Sequence, residues 1–397
     1  MEIKVNVIAS TKIGYKAPKE ELDRLGGLTA GICYLPDTTE KLFSEPEEKT
    51  ERRIGLTKGS GHHSPYDHGE FTLELIGIPK IIAMTLNNEK MYTTSEKSAR
   101  YKVMHDVPED QKVLYDKWLE IFKQEIAKKY QSAYPNYFTD QKITKLAQEN
   151  ARYLTSVFTP TTMAYTTSYR QFNILYSLIK KEIKRIETEE THPFYKKYTE
   201  ELQNLANAFE TLPYLDKDLF DAKGRSLSLI DHRTNRPIIK QYGDVYQVSY
   251  KGSFAQLAQA HRHRTLSYNF RLLPQAEYFI PPIIKENKTL ALSWCKDCES
   301  LADSFPQGLL VEIVEQGNLE NLILKAKERK CTYAQLEING QTTETIMEVY
   351  NELEKTGHPG AEDLKPYAKK SSRCTFGDYV CTSPCGFKEG VTGERTI

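Results

Sequence analysis

Gln259–Asn269, QAHRHRTLSYN, sets two guanidinium groups and two imidazoles in the consecutive positions His261 to Arg264, behind a glutamine. A guanidinium is a permanent cation whose planar donor fork matches phosphate oxygens and ring carbonyls. If a helix ends here, successive side chains point in different directions. The cluster then suits a place where several anionic or polar parts of a ligand meet. The plainer reading is a solvated basic helix end, which the helix dipole favours. What lies around the stretch decides between them.

Working outward, Asp244–Tyr250 reads as a strand, and a helix runs from Ser253 into the Arg262 cluster. Thr289–Ser304 reads as a helix, Leu309–Glu315 as a strand and Asn318–Arg329 as a helix. The N-terminal half has a similar order. Met1–Ser10 and Glu70–Ile78 read as strands, and Pro79 can open the helix that follows. Glu20–Tyr34 reads as a helix weakened by Gly26-Gly27, and Lys112–Tyr130, Thr139–Leu154 and Tyr169–Arg185 have amphipathic spacing. Thr188–Pro193 is a polar break before a helix over Phe194–Phe209. Strand, helix and polar loop recur at a separation of about 150–175 residues, which predicts internal duplication. The expected organisation is a first repeat over 1–211, a connection over 212–241, and a second repeat over 242–397 that ends in a Cys-rich tail. The fold class is mixed α/β (α+β), each repeat a sheet with packed helices.

Bulk properties narrow the partners. The 397 residues are 39% hydrophobic and 27% charged, as in a globular protein rather than a disordered one. Lys+Arg and Asp+Glu balance at 54 each, so charge gives no case for bulk nucleic-acid or membrane binding, and any anion site is a local cluster. MEIKVNVIAS lacks the apolar core of a signal peptide, and no window reaches the roughly 18 apolar residues of a membrane span. The expected location is the cytoplasm. Seven cysteines, an odd number, fit a reducing compartment.

Motifs in both halves then combine. The second half reads Gln259-x-x-Arg262-His263-Arg264-x-x-Ser267-x-Asn269. The first half carries Glu96-x-Ser98-x-Arg100-Tyr101, and upstream His62-His63-Ser64-Pro65-Tyr66-Asp67-His68 before Phe71-Thr72-Leu73-Glu74. Ala151-Arg152 follows, and Tyr333-Ala334-Gln335-Leu336-Glu337-Ile338 stands just after Arg329. Together these resemble the flavin-dependent thymidylate synthases (ThyX), with their RHR-x-x-S-x-N-E-x-S-x-R-Y, H-x-[ST]-P-F-E-H, Ala-Arg and H-A-Q-W-E-I segments. The resemblance covers most of both halves, outside Leu212–Gln241 and the tail after about Ala368.

Neither half is complete. Leu272 and Pro274 stand where the family places a Ser and an Arg, and Asn88, Glu89 and Lys90 stand where the first half should carry RHR. One offset of 150 relates Arg152 to Ala302, Ser168 to Asn318 and Ile179 to Arg329. The losses are therefore complementary. In the family each site lies between subunits, so the resemblance implies one composite site drawing on both repeats and one degenerate site. Leu324, in place of a flavin-contacting Asn, and Tyr333, in place of a His, depart from the pattern.

The resemblance implies transfer of a one-carbon unit from methylenetetrahydrofolate to carbon 5 of dUMP, with FAD as cofactor and NADPH as hydride source. It assigns Gln259, Arg262, Glu96, Ser98, Arg100, Arg152 and Arg329 to the nucleotide, with Arg329 stabilising negative charge on the uracil ring. It assigns Ser64, Arg262, His263, Arg264, Glu96 and Asn318 to the flavin. Family members are homotetramers, so a fused pair implies a homodimer of chains. Other readings are the same chemistry on another uridine nucleotide, transfer of a hydroxymethyl group, and a non-catalytic flavin- or nucleotide-binding paralogue. Locally, Glu96 could simply pair with Arg100 across one helix turn, Ser64 could be a turn residue, and Arg152 and Arg329 solvated charges.

No metal site is assigned. Cys295-x-x-Cys298 and Cys374-x6-Cys381-x3-Cys385 are either a zinc set or reduced structural thiols. The tail RCTFGDYVCTSPCGF has no core of its own, which favours a metal or docking against the body. Cys33 and Cys331 are expected to be small buried residues.

Overall fold

Alternating side chains build two antiparallel sheets. In the computed structural model, which describes residues 3–10, 12–13, 15–34, 38–97, 107–220, 225–230 and 241–397, the strands are β1 (Lys4–Ser10), β2 (Lys12–Ile13), β3 (Glu70–Pro79), β4 (Thr93–Glu96), β5 (Pro160–Ser168), β6 (Gln241–Tyr242), β7 (Val245–Ser253), β8 (Ser267–Leu272) and β9 (Leu310–Asn318). One sheet has the order β2-β1-β3-β5-β4, the other β6-β7-β9-β8. The chain divides into two compact units. The first joins Met1–Lys97 to Pro160–Leu227, and the second joins Ser98–Thr159 to Ser228–Ile397. A segment of the N-terminal half thus belongs with the C-terminal sheet. No helix among the described residues is long and apolar enough to cross a membrane.

In the first unit β3 buries Phe71, Leu73 and Leu75 at alternate positions. Phe71 stacks on Tyr214 at 4.8 Å and meets Phe172 edge-on at 5.4 Å. The helix Lys19–Tyr34 keeps Gly26 and Gly27 in its interior, and packing explains both. A Cβ on Gly26 would lie 2.5 Å from Cδ1 of the buried Tyr66 ring, and one on Gly27 would lie 2.6 Å from Ile54. Gly26→Ala should therefore destabilise the protein by about 1–3 kcal/mol through overpacking, although alanine gains about 1 kcal/mol in helix propensity. Urea unfolding measures the balance, and a net gain would mean that the ring steps aside.

In the second unit the helix Glu109–Ile126 buries Tyr115, Trp118, Phe122 and Ile126, a stripe at spacings of three and four. Trp118 meets Trp294 edge-on at 4.9 Å and donates to Asp297 Oδ2 at 2.6 Å. The C-terminal tail docks on the same core, with Phe387 packed against Tyr134, Tyr137 and Phe138. A 3-10 turn, a strand and a capped helix recur at a constant offset. Arg152–Leu154, β5 and the N-cap Ser168 are matched 150 residues later by Ala302–Ser304, β9 and the N-cap Asn318. Within the second unit Ser156 bridges antiparallel to Pro306, also 150 residues on. Val157 N donates to Phe305 O at 2.9 Å and Gln307 N to Thr155 O at 2.7 Å. These two bonds exchange under the same offset, as a local two-fold axis requires.

Several expectations need correction. The helix from Ser253 stops at Ala260, short of Arg262. Helix 288–299 ends at Glu299 rather than Ser304, where a separate 3-10 turn follows. Glu96 ends a strand rather than lying on a helix, and Arg100, its suggested helical partner, lies outside the described residues. Cys33 is exposed, on the outward face of its helix beside exposed Ile32, and Cys331 is partly exposed in a turn.

Candidate functional site

The residues of QAHRHRTLSYN divide by direction. Ser253 caps the 254–260 helix by accepting from Gln256 N at 3.0 Å, and the chain then turns through the cluster into β8. In that turn His261 and His263 are buried, while Arg262 and Arg264 are exposed. Arg262 N donates to Gln259 O at 3.2 Å, and its guanidinium makes no hydrogen bond or ion pair among the described residues. Gln259, on the last helical turn, is 5% exposed, and its Oε1 has no hydrogen-bond partner among the described residues.

His263 sits against Arg329, at the C-terminal end of the helix Leu319–Arg329 whose N-cap is Asn318. Arg329 Nε donates to His263 Nε2 at 2.6 Å. Burial, then the charges of Arg329 and Lys325, push the His263 imidazole down to about 2. The ring is therefore neutral, with Nε2 the acceptor and the proton on Nδ1, which faces Glu328 Oε2 at 3.4 Å. This bond orients the Arg329 guanidinium. Asn318 Oδ1 accepts from Asn321 N at 2.9 Å, so its cap role occupies the oxygen and leaves the amide NH2 group.

Arg152 comes from the N-terminal half, in the 3-10 turn that follows the 140–151 helix, and is 6% exposed. Its Nη2 donates to Gln335 Oε1 at 2.5 Å, and Gln259 Nε2 donates to the same oxygen. Gln335 Nε2 passes a hydrogen bond on to Tyr153 OH, and Tyr153 OH donates to Glu337 Oε2 at 2.8 Å. Glu337 also accepts from Ser253 N at 2.8 Å and Ser253 Oγ at 2.7 Å. The relay thus runs from Arg152 and Gln259 through Gln335 to the start of the helix that carries Gln259. Burial pushes the Glu337 carboxyl up, against the bonds from Ser253 and Tyr153 and the Arg152 charge that pull it down.

Within the second unit Arg152 meets Gln259 at Gln335, and His263 meets Arg329, with Arg262, Arg264 and Asn318 on the same elements as these residues. Ser64 and Glu96 belong to the first unit. Ser64 is exposed at the start of a 3-10 turn, and Glu96 Oε1 pairs with Lys80 Nζ at 2.5 Å. Ser98 and Arg100 lie outside the described residues. Sequence reasoning missed Tyr153 and Ser253, and it quoted Gln335 and Glu337 without giving them a role. It also missed a buried ion pair behind the site. Lys325 Nζ lies 2.5 Å from Glu315 Oε2, both side chains fully enclosed, and Tyr246 OH donates to Glu315 Oε1 at 2.7 Å.

Comparison with known proteins gives a family match to part of the chain. Residues 19–206, just under half of it, match the family model described as Thymidylate synthase complementing protein, so the chain carries a Thy1-like domain. No curated protein matches. Among solved structures, thymidylate synthase X from Helicobacter pylori with FAD and dUMP is 17% identical, covers 55% of this chain and 99% of its own, and superposes with a TM-score of 0.33. A UMP/dUMP methylase from Streptomyces cacaoi bound with 5-Br dUMP is 16% identical over 53% of this chain and 89% of its own, also with a TM-score of 0.33.

Proposed function

We propose that this chain is an FAD-dependent enzyme that moves a one-carbon unit from methylenetetrahydrofolate to carbon 5 of dUMP, with NADPH as reductant. We further propose that it is a tandem duplication with one composite nucleotide site. The observation that carries this reading is the meeting of Arg152, from the first repeat, with Gln335 and Gln259, from the second. These are the elements that complementary loss leaves intact. The 150-residue recurrence and the symmetric pairing at Ser156 and Pro306 support the duplication.

The residues present fit the ligands proposed. Gln259 keeps a buried carbonyl without a partner, which suits an imide N–H of uracil. Arg152 and exposed Arg262 supply charge-assisted donors for a phosphate, and Ser98 and Arg100 join them by motif. Arg329, held in orientation by neutral His263, places positive charge where the activated ring becomes anionic. Arg264, His263 and Asn318 are the proposed flavin contacts. When bound, FAD would supply the redox chemistry; the chain's own residues bind, orient and stabilise charge.

Purified protein should be yellow and should release tritium from carbon 5 of labelled dUMP when the folate and NADPH are present. Intact dUMP binding without release would leave a non-catalytic paralogue, and UMP turnover in place of dUMP would change the substrate. Arg262→Ala should abolish nucleotide binding, whereas Lys90→Ala, at the degenerate RHR position, should leave it intact. Equal damage from both variants would refute the composite site. Light scattering should find a dimer of chains.

A further inference from the structure

Four of the seven cysteines, Cys331, Cys374, Cys381 and Cys385, line one cavity of about 140 Å³ in the second unit. They come from three places: the turn after the 319–329 helix, a 3-10 turn at Arg373–Thr375, and the loop before the last short helix. Cys295 and Cys298 are elsewhere, on the 288–299 helix, where Cys298 is buried in the aromatic core with Trp294. The pairing of these two with the tail thiols is therefore not the arrangement the fold produces.

Two further observations at the cavity call for a buried anion and a cross-link. Lys330 is fully enclosed and lines the cavity, and among the described residues its ammonium has only the Tyr367 carbonyl, 2.9 Å away, for a partner. No carboxylate pairs with it among the described residues. Half-buried Arg373 lines the same cavity, also without a carboxylate among the described residues, and bonds Lys327 O at 3.2 Å. Burying a cation such as Lys330 without counter-charge is costly. The loop Cys381–Cys385 also carries no backbone–backbone hydrogen bond among the described residues. It is nevertheless followed at once by Gly386, at φ 68°, and by fully packed Phe387.

We propose that Cys331, Cys374, Cys381 and Cys385 form a structural tetrathiolate site for zinc. The four thiols would release their protons to solvent and bind one divalent ion, at sulfur distances of about 2.3 Å. The complex carries a net charge of about −2, which is the counter-charge that Lys330 and Arg373 lack. The thiols stand around the cavity rather than around one point, and among the described residues no three ligand side chains are gathered closely enough to hold an ion. The Cys381–Cys385 loop, held by no backbone–backbone hydrogen bond among the described residues, would supply the closing movement, so metal binding and local folding are one event. The ion would pin the turn that leads from Arg329 through Cys331 to Gln335, and so brace the nucleotide site from behind.

The test uses the full chain, expressed with zinc in the medium and desalted. Elemental analysis should find one zinc per chain, lost in Cys374→Ser and in Cys385→Ser and retained in Cys33→Ser. Because those variants could fail to fold, apo wild-type protein is also titrated with Co²⁺. A one-to-one end point with the intense visible bands of tetrahedral thiolate cobalt supports the site. Zinc at background in wild-type protein, zinc unchanged in both tail variants, or weak octahedral cobalt bands would each overturn it. An iron–thiolate spectrum in the purified protein would overturn zinc as the occupant.

Discussion

Glu315→Gln should lower stability by about 3–5 kcal/mol at neutral pH, and the loss should shrink as pH rises. Glu315 and Lys325 are fully enclosed and 2.5 Å apart, so removing one charge leaves the other buried alone. Glutamine keeps the shape and an oxygen for Tyr246, but its amide nitrogen cannot accept from Tyr250 OH as Glu315 Oε2 does at 3.1 Å, so the charge and one acceptor are lost. Burial already holds the Lys325 ammonium below its usual value, and the Glu315 charge and hydrogen bond are what oppose that. Without them the folded-state value falls further, while the unfolded chain keeps about 10.4. Between the two values the unfolded state binds more protons, so stability rises with pH, by up to about 1.4 kcal/mol per unit. Urea titrations at a series of pH values would show this directly. A variant with a deficit that is flat or growing with pH would mean that Lys325 stays charged and finds water or another partner.

The same pair shows where sequence reading stops. Lys325, Lys327, Arg329 and Lys330 stand within six positions of one another, yet Lys325 shares a buried face with Leu322 and Ala326, while Lys327 reaches Asp378. Which lysine turns inward depends on the helix phase against β9, and that is a tertiary fact. β5 escaped for a related reason. Its inward face is Thr161, Met163, Tyr165 and Thr167, half of it threonine, so a count of apolar alternation passes over it. The helices at 169–189 and 193–210 were legible because long stripes of apolar residues end at a polar break and a proline. In the site, Arg262 to Arg264 stood out by composition, but the inward turn of the histidines did not. The relay through Tyr153, Gln335, Glu337 and Ser253 joins residues up to 184 apart and has no local signature.

Arg152→Ala should weaken dUMP binding by about 10–150-fold, the equivalent of losing one charge-assisted contact worth about 1.5–3 kcal/mol. The magnitude rests on burial. Arg152 is 6% exposed and its guanidinium is fixed by Gln335, so its fork is ordered before any phosphate arrives. A purely structural role would also cost stability, because Arg152 helps to fill and bond the core of the second unit. Two readouts separate the roles. Arg152→Lys keeps a charge but not the planar fork, so it should recover part of the affinity if phosphate is the partner. Titration calorimetry with dUMP and with deoxyuridine gives the second. The loss should appear for the nucleotide and be small for the nucleoside, which has no phosphate to lose. Equal losses for both, tracking the fall in melting temperature, would make Arg152 a brace for Gln335 and Gln259 and move the phosphate to Arg262 and the Ser98–Arg100 segment.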